Sequence, residues 1–170
     1  MRIVAGRFAG RTLTSPDARV RPTAEHVRAS LLDLLENEVE GARVLDLFAG
    51  TGALGLEAIS RGARSADFVE FRPGSLHALK ANIAALRLRE RTRVFKRDAL
   101  PFASALASAS YDITFADPPY ESRMLDRLIE TWQRTHFSRV LAVEHAATHK
   151  LPAGGTQHVF EETAVTIFYR

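Results

Sequence analysis

Val44-Leu45-Asp46-Leu47-Phe48-Ala49-Gly50-Thr51-Gly52-Ala53-Leu54-Gly55 decides the fold of this chain. An apolar, β-rich run leads into a complete G-x-G-x-x-G that opens a helical pattern, so a nucleotide-like ligand can approach the backbone closely. The glycines alone leave that ligand open. In a nicotinamide enzyme they seat a pyrophosphate on the helix N-terminus, and an acid about twenty residues on binds the ribose. Glu70 stands twenty residues after Gly50 and fits that description. Asp46 breaks the tie. It lies in the last turn of the expected strand, where its charge would repel a pyrophosphate and suit an ammonium or a sulfonium. S-adenosylmethionine carries both cations and no phosphate.

Outward from this stretch, short β-rich runs alternate with helical ones, the pattern of βαβ units and a mostly parallel sheet. Strands are expected at 43–48, 66–71, 93–96, 112–116 and 140–144, with helices near 53–61, 75–86, 101–107 and 122–134 between them. The C-terminal end differs. Gly154 and Gly155 make a turn, and 159–161 and 164–169 follow with no room for a crossover helix, so they must pair antiparallel. The expected fold is therefore α/β and Rossmann-like, of the class I methyltransferase kind: a mostly parallel twisted sheet finished by an antiparallel C-terminal hairpin.

Residues 1–22 read as a small basic hairpin arm, with β-like pieces at 2–5 and 11–14 separated by Gly6 and Gly10 and a proline-containing segment at 15–22. The methyltransferase domain is expected over 23–170. It starts with Thr23 as helix N-cap and an apolar stripe of Val27, Leu31, Leu34 and Leu35. There is no internal repeat.

The chain has 170 residues, 46% hydrophobic and 25% charged, which suits one globular domain. A chain of this length buries about 70% of the surface its unfolded form exposes and needs no disulfide or metal staple. Cysteine is absent, which removes zinc-thiolate sites, Fe–S clusters, thiol nucleophiles and a disulfide framework. With no apolar run of membrane-spanning length and no secretory h-region, a soluble, cytoplasmic protein without a membrane partner is expected. The net charge of +3 conceals a cluster: residues 1–30 hold six arginines against Asp17 and Glu25, a net +4. Such a basic arm attracts phosphate backbones. The bland alternative is a compositional bias, since 20 of the 23 basic residues are arginine. A second basic stretch, Arg87 to Arg97, is diluted by Glu90.

In a parallel sheet the carboxyl ends of successive strands line one crevice. Asp46, Glu70 and Asp98 follow the first three expected strands and would meet the methionine, ribose and adenine parts of the cofactor in that order. The fourth ends in Asp117-Pro118-Pro119-Tyr120. Two prolines favour extended backbone and leave the adjoining carbonyls free to accept hydrogen bonds. An exocyclic amine of a nucleobase is a poor nucleophile because its lone pair is delocalised into the ring. Bonds from its N–H groups to the Asp117 carboxylate and the Pro118 carbonyl would localise that pair, and Tyr120 offers a face for a base that has left its helix. Guanine N2, adenine N6 and cytosine N4 all satisfy this motif. No metal is required: His145 and His149 stand four residues apart but lack the H-E-x-x-H pattern and a third ligand. Trp132 reads as core or partly buried helix surface.

Together, RPTAEHVRASLLDLL (21–35), VLDLFAGTGALGLEAISRGA (44–63), FVE (68–70), ITFADPPY (113–120) and the terminal IFYR (167–170) make the chain resemble the bacterial RsmD family along nearly its whole length. Members are S-adenosylmethionine-dependent enzymes that methylate N2 of one guanine in 16S ribosomal RNA. The resemblance implies cofactor contacts from Asp46, from Phe48, Ala49, Gly50, Thr51 and Gly52, and from Glu70 and Asp98, with catalysis at Asp117, Pro118, Pro119 and Tyr120. It implies RNA contacts from the arm, for which Arg7, Arg11, Arg21 and Arg28 are the candidates. The implied partner is 16S rRNA within a small ribosomal subunit or its assembly intermediate. One departure is Arg72, where family members commonly place an acid. A DNA or tRNA amino-methyltransferase using the same site, or a nicotinamide-dependent oxidoreductase, are the alternatives the residues leave.

Overall fold

Val44 and Leu45 are neighbours in sequence and belong to opposite cores. Side chains alternate across a strand, so a run that is apolar at every position must be covered on both faces, as parallel sheets are. In the computed structural model, which describes residues 1–16, 24–120 and 123–170, the chain runs α1 (Glu25–Leu34), α2 (Glu36–Val39), β1 (Arg43–Leu47), α3 (Ala53–Ser60), β2 (Ser65–Val69), α4 (Pro73–Ala85), β3 (Thr92–Phe95), α5 (Ala99–Ser104), β4 (Tyr111–Ala116), α6 (Met124–Thr135), β5 (Ser138–Ala146), β6 (Thr156–Phe160) and β7 (Thr163–Tyr169). The strands form one sheet in the order β3-β2-β1-β4-β5-β7-β6. β1 to β5 are parallel, and β7 pairs antiparallel with both β5 and β6. This is the expected Rossmann-like class I methyltransferase fold with its antiparallel end.

One core packs Leu31, Leu56, Phe68, Ile83 and Phe115 on the side of α1, α3 and α4. The other packs Leu45, Leu128, Trp132 and Phe168 on the side of α5 and α6. The strand order reverses between β1 and β4, and the crevice at that point opens above their carboxyl ends. Among the described residues no helix is long and apolar enough to cross a membrane.

The differences from expectation have physical causes. β5 is longer than 140–144 because β4 pairs with it from Ser138 and β7 pairs with it as far as Ala146. β6 starts at Thr156, directly after the two glycines, and the tight turn into β7 lies at Glu161, whose φ is 59°. On α1, Leu34 is exposed, while Arg28 and Leu32 join Val27 and Leu31 inside. Thr23 lies outside the described residues, and Ala24 holds the N-cap position without a side-chain hydrogen bond.

The amino-terminal hairpin carries one isolated antiparallel bridge, Arg2 to Thr12, rather than two strands. It is fastened to the body. Ile3 and Leu13 are buried in the core shared with α1 and β1. The Val4 and Ala5 N–H groups donate to the Glu57 carboxylate at 2.9–3.1 Å, and Ser60 Oγ donates to the Ala5 carbonyl at 2.6 Å. Gly6, at φ +82°, lies so close to Ser60 that a Cβ would stand 2.0 Å from its carbonyl oxygen. Arg28 belongs to the same fastening and not to an RNA-facing surface: it is fully buried, pairs with Glu57 at 3.4 Å and donates to the Arg2 carbonyl. A side chain with no solvent access cannot reach a phosphate, so Arg28 leaves the set of RNA candidates.

Candidate active site

β1 ends one residue before a sharp reversal. Phe48 (φ 57°), Gly50 (φ 56°) and Gly52 (φ 83°) all take left-handed backbone, a conformation that costs a residue with a Cβ and leaves glycine unstrained. Gly52 is the N-cap of α3. Gly55 lets that helix settle against β2: a Cβ there would stand 2.5 Å from the Phe68 ring. A Cβ at Gly50 would meet nothing within 4 Å, so the loop faces open space where a ligand can lie against the backbone.

Asp46 sits at the level of Phe68 and Phe115 in the sheet and accepts the Gly55 N–H at 3.0 Å. It is buried. Burial pushes its pKa well above the ordinary carboxyl value despite the Gly55 hydrogen bond, and the charges of Asp117 and Glu70 push it further. Glu70 follows β2 and accepts the Gly50 N–H at 2.8 Å, the Phe71 and Arg72 N–H groups at 3.0 Å, and the Arg72 guanidinium at 3.2–3.4 Å. Burial opposes its ionisation, but the hydrogen bonds from Arg72 and Gly50 and the Arg72 charge outweigh it and hold the carboxyl below its usual range. Arg72, the departure seen in the sequence, thus grips the acid expected to bind the ribose.

Asp98 is exposed at the start of α5, without a side-chain capping bond. Asp117 is partly buried past the end of β4, near enough to Asp46 for their charges to interact. Pro118 is buried, while Pro119 and Tyr120 are exposed. The Tyr120 hydroxyl lies 3.1 Å from Thr163 Oγ1 and donates to Glu144 Oε1 at 3.5 Å. Burial raises the Tyr120 pKa against the Thr163 hydrogen bond, with Glu144 and Asp117 adding to the rise.

The fold therefore brings Asp46, the 48–52 loop, Glu70 and Asp117 to one crevice at the reversal of strand order, while Asp98 follows β3, two strands from β1, with its side chain exposed. The charges of Glu70 and Asp117 both act against ionised Asp46, and a cationic ligand would relieve that repulsion. Arg7 and Arg11 are exposed on the hairpin; Arg7 lies over the Phe8 ring and Arg11 donates to the Ala85 carbonyl at 3.1 Å. Arg21 lies outside the described residues. In the second basic stretch, Arg93 pairs with Asp67 at 2.6 Å and Arg91 donates to the Ala63 and Arg64 carbonyls, so these two brace the β3 edge. His145 bonds Ala146 and Thr166, and His149 pairs with Asp126 at 3.0 Å.

Three residues near the site went unremarked in the sequence. Asn82 links the glycine loop to the hairpin, donating to the Thr51 and Thr14 carbonyls at 3.0 Å and accepting the Thr14 N–H at 2.7 Å. Glu57 anchors the hairpin, and Glu144 lies beside Tyr120. Each is a polar group inside an otherwise apolar run, and a buried polar group is the signal that finds them.

The family model described as conserved hypothetical protein 95 matches residues 1–163. Bacillus subtilis YlbH is 32% identical over 158 residues, spanning 89% of this chain and 86% of that one. Ribosomal RNA small subunit methyltransferase D of Escherichia coli K12 is 38% identical over 130 residues, covering 76% of this chain and 65% of its own length. The solved structure of Escherichia coli yhhF superposes with a TM-score of 0.85 at 32% identity over 100% of this chain and 97% of the other. The glycine turn, the acids gathered above it and this likeness along the whole length agree: the chain belongs to the conserved hypothetical protein 95 family, the RsmD family of methyltransferases.

Proposed function

We propose that this enzyme methylates the exocyclic N2 of a guanine in 16S ribosomal RNA, presented by a small subunit or its assembly intermediate. At the coarser level it is an S-adenosylmethionine-dependent rRNA methyltransferase. The observation that carries the reading is the meeting of Asp46, Glu70 and Asp117 at one crevice beside a glycine turn open to a ligand.

The donor set suits the cofactor. When bound, S-adenosylmethionine supplies a methyl group on a sulfonium, whose loss leaves a neutral thioether. Asp46 faces its positive charge, the 48–52 loop leaves room for it against the backbone, and Glu70 would accept ribose hydroxyls in place of the Arg72 guanidinium that now occupies both its oxygens, with Asp98 beyond. A pyrophosphate would meet the same acids as repulsion, which weighs against the nicotinamide alternative. Asp117 and the Pro118 carbonyl accept the N–H groups of the target amine, localising its lone pair, and the Asp117 carboxylate takes up the proton it sheds as the N–C bond forms. Tyr120 stacks on the extruded base, an interaction worth ~1–3 kcal/mol. Most of the rate then comes from holding nitrogen and methyl in line. Exposed Arg7 and Arg11, together with Arg21, hold RNA phosphates.

Undermethylated small subunits incubated with enzyme and radiolabelled cofactor should yield N2-methylguanosine on digestion. Label in adenosine or cytidine, or transfer to tRNA or duplex DNA with little to subunits, would favour the alternative amino-methyltransferase and overturn this one.

A further inference from the structure

The Asp-Pro-Pro-Tyr turn accepts any exocyclic amine, so another group must tell guanine from adenine and cytosine. β4 and β5 are paired up to Ala116 and Val143, and one residue further along each strand stand Asp117 and Glu144. Neighbouring strands lie ~4.8 Å apart, so two carboxylates at these positions can address adjacent atoms of one base edge. Glu144 is 7% exposed and lines a small cavity with Pro118, Pro119 and Tyr120. Its Oε1 is 3.5 Å from the Tyr120 hydroxyl, which places the carboxylate on the same side of the crevice as the proposed stacking face.

The chemistry of the three bases differs at the atom beside the amine. In guanine the amine stands between N3, which carries a lone pair, and N1, which carries a hydrogen, and the N1 side is the one that sets guanine apart. In adenine the ring nitrogen beside the amine is N1 and in cytosine N3, and both present a lone pair instead. An ionised carboxylate only accepts hydrogen bonds. We infer that Glu144 is the specificity-determining residue of this site: its carboxylate accepts the guanine N1–H while Asp117 and Pro118 hold the N2 amine, and it repels the ring nitrogen of adenine or cytosine. The inference rests on the methyltransferase reading above and adds the group that selects the base.

2-Aminopurine tests it, because it keeps the 2-amino group and replaces the N1–H with a lone pair. Small-subunit RNA is assembled with 2-aminopurine in place of the guanine that the wild-type enzyme methylates, and transfer to the two RNAs is compared. Wild type should discriminate against 2-aminopurine by on the order of a hundredfold, since a site built around a substrate N–H strongly rejects the analogue lacking it. Glu144→Gln, whose amide can donate to the bare nitrogen, should methylate guanine more slowly and narrow the ratio at least about tenfold. Equal transfer by wild type to both RNAs, or an unchanged ratio in a folded Glu144→Gln, overturns the assignment while guanine methylation itself stands. If Glu144→Gln does not fold, Glu144→Asp carries the second arm: it keeps the preference and loses rate on guanine, and an Asp variant as fast as wild type overturns the assignment. A wild-type enzyme that methylates no guanine overturns the functional reading, and this inference with it.

Discussion

Arg28 and Glu57 form an ion pair with neither side chain exposed, Nε to Oε2 at 3.4 Å, joining α1 to α3 beneath the amino-terminal hairpin. The same Glu57 carboxylate accepts the Val4 and Ala5 N–H groups, and the same guanidinium donates to the Arg2 carbonyl. Arg61 also pairs with Glu57 at 3.3 Å, so removing Arg28 weakens the compensation of the buried carboxylate without abolishing it and leaves the Arg2 carbonyl without its donor, at a cost of about 1–3 kcal/mol. Arg28→Ala should therefore lower the denaturant midpoint while leaving the salt dependence of RNA binding by the folded fraction unchanged. A shift in that dependence would return Arg28 to the RNA interface.

Asp46→Asn separates stability from binding. Asn keeps an oxygen for the Gly55 N–H and removes a charge that burial and two neighbouring acids disfavour. For a carboxyl whose folded pKa is raised, its favourable contribution is complete below the unfolded pKa, near 3.8, and is lost as pH rises through the folded value. At neutral pH the variant should melt at a higher temperature than wild type without ligand. Calorimetry should show it binding S-adenosylmethionine at least about tenfold more weakly. A lower Tm would contradict the burial argument.

Arg72→Ala releases Glu70. The depressed Glu70 pKa contributes stability that is present above the ordinary glutamate value of 4.5 and is lost as pH falls through the folded one. Without the guanidinium the carboxyl titrates closer to 4.5, so the acid-unfolding midpoint should move to higher pH. A pH titration followed by circular dichroism reads the shift.

Asp117→Ala should abolish methyl transfer and leave S-adenosylhomocysteine binding within a few-fold of wild type, because Asp117 is assigned to the base rather than to the cofactor. Equal loss of both in calorimetry and in the methylation assay would move Asp117 to the cofactor side.

Arg7→Ala combined with Arg11→Ala should weaken RNA binding and reduce the slope of log K against log salt by roughly 0.7–0.9 for each phosphate that is no longer neutralised. Binding measured across a salt series checks it. An unchanged slope removes the hairpin from the interface.

Local order in the sequence was enough for the sheet, its parallel and antiparallel parts, and the glycine turn. Runs apolar at every position, glycines at left-handed positions and strands too close for a crossover are all features of neighbouring residues. The acids at the strand ends were legible for the same reason: once strands are parallel, their carboxyl ends share a crevice. Tertiary structure decided what depended on distant partners. Arg28 looked like one basic residue of an arm until Glu57, twenty-nine residues away, drew it inside. Arg72 looked like a missing acid until its guanidinium was seen to hold Glu70. Glu144 was one polar residue in an apolar strand until β4 and β5 came into register and set it beside the Asp-Pro-Pro-Tyr turn. Chain order specifies which groups exist, and only packing specifies which of them are left facing a ligand, because a charge's role is set by its burial and its nearest partners.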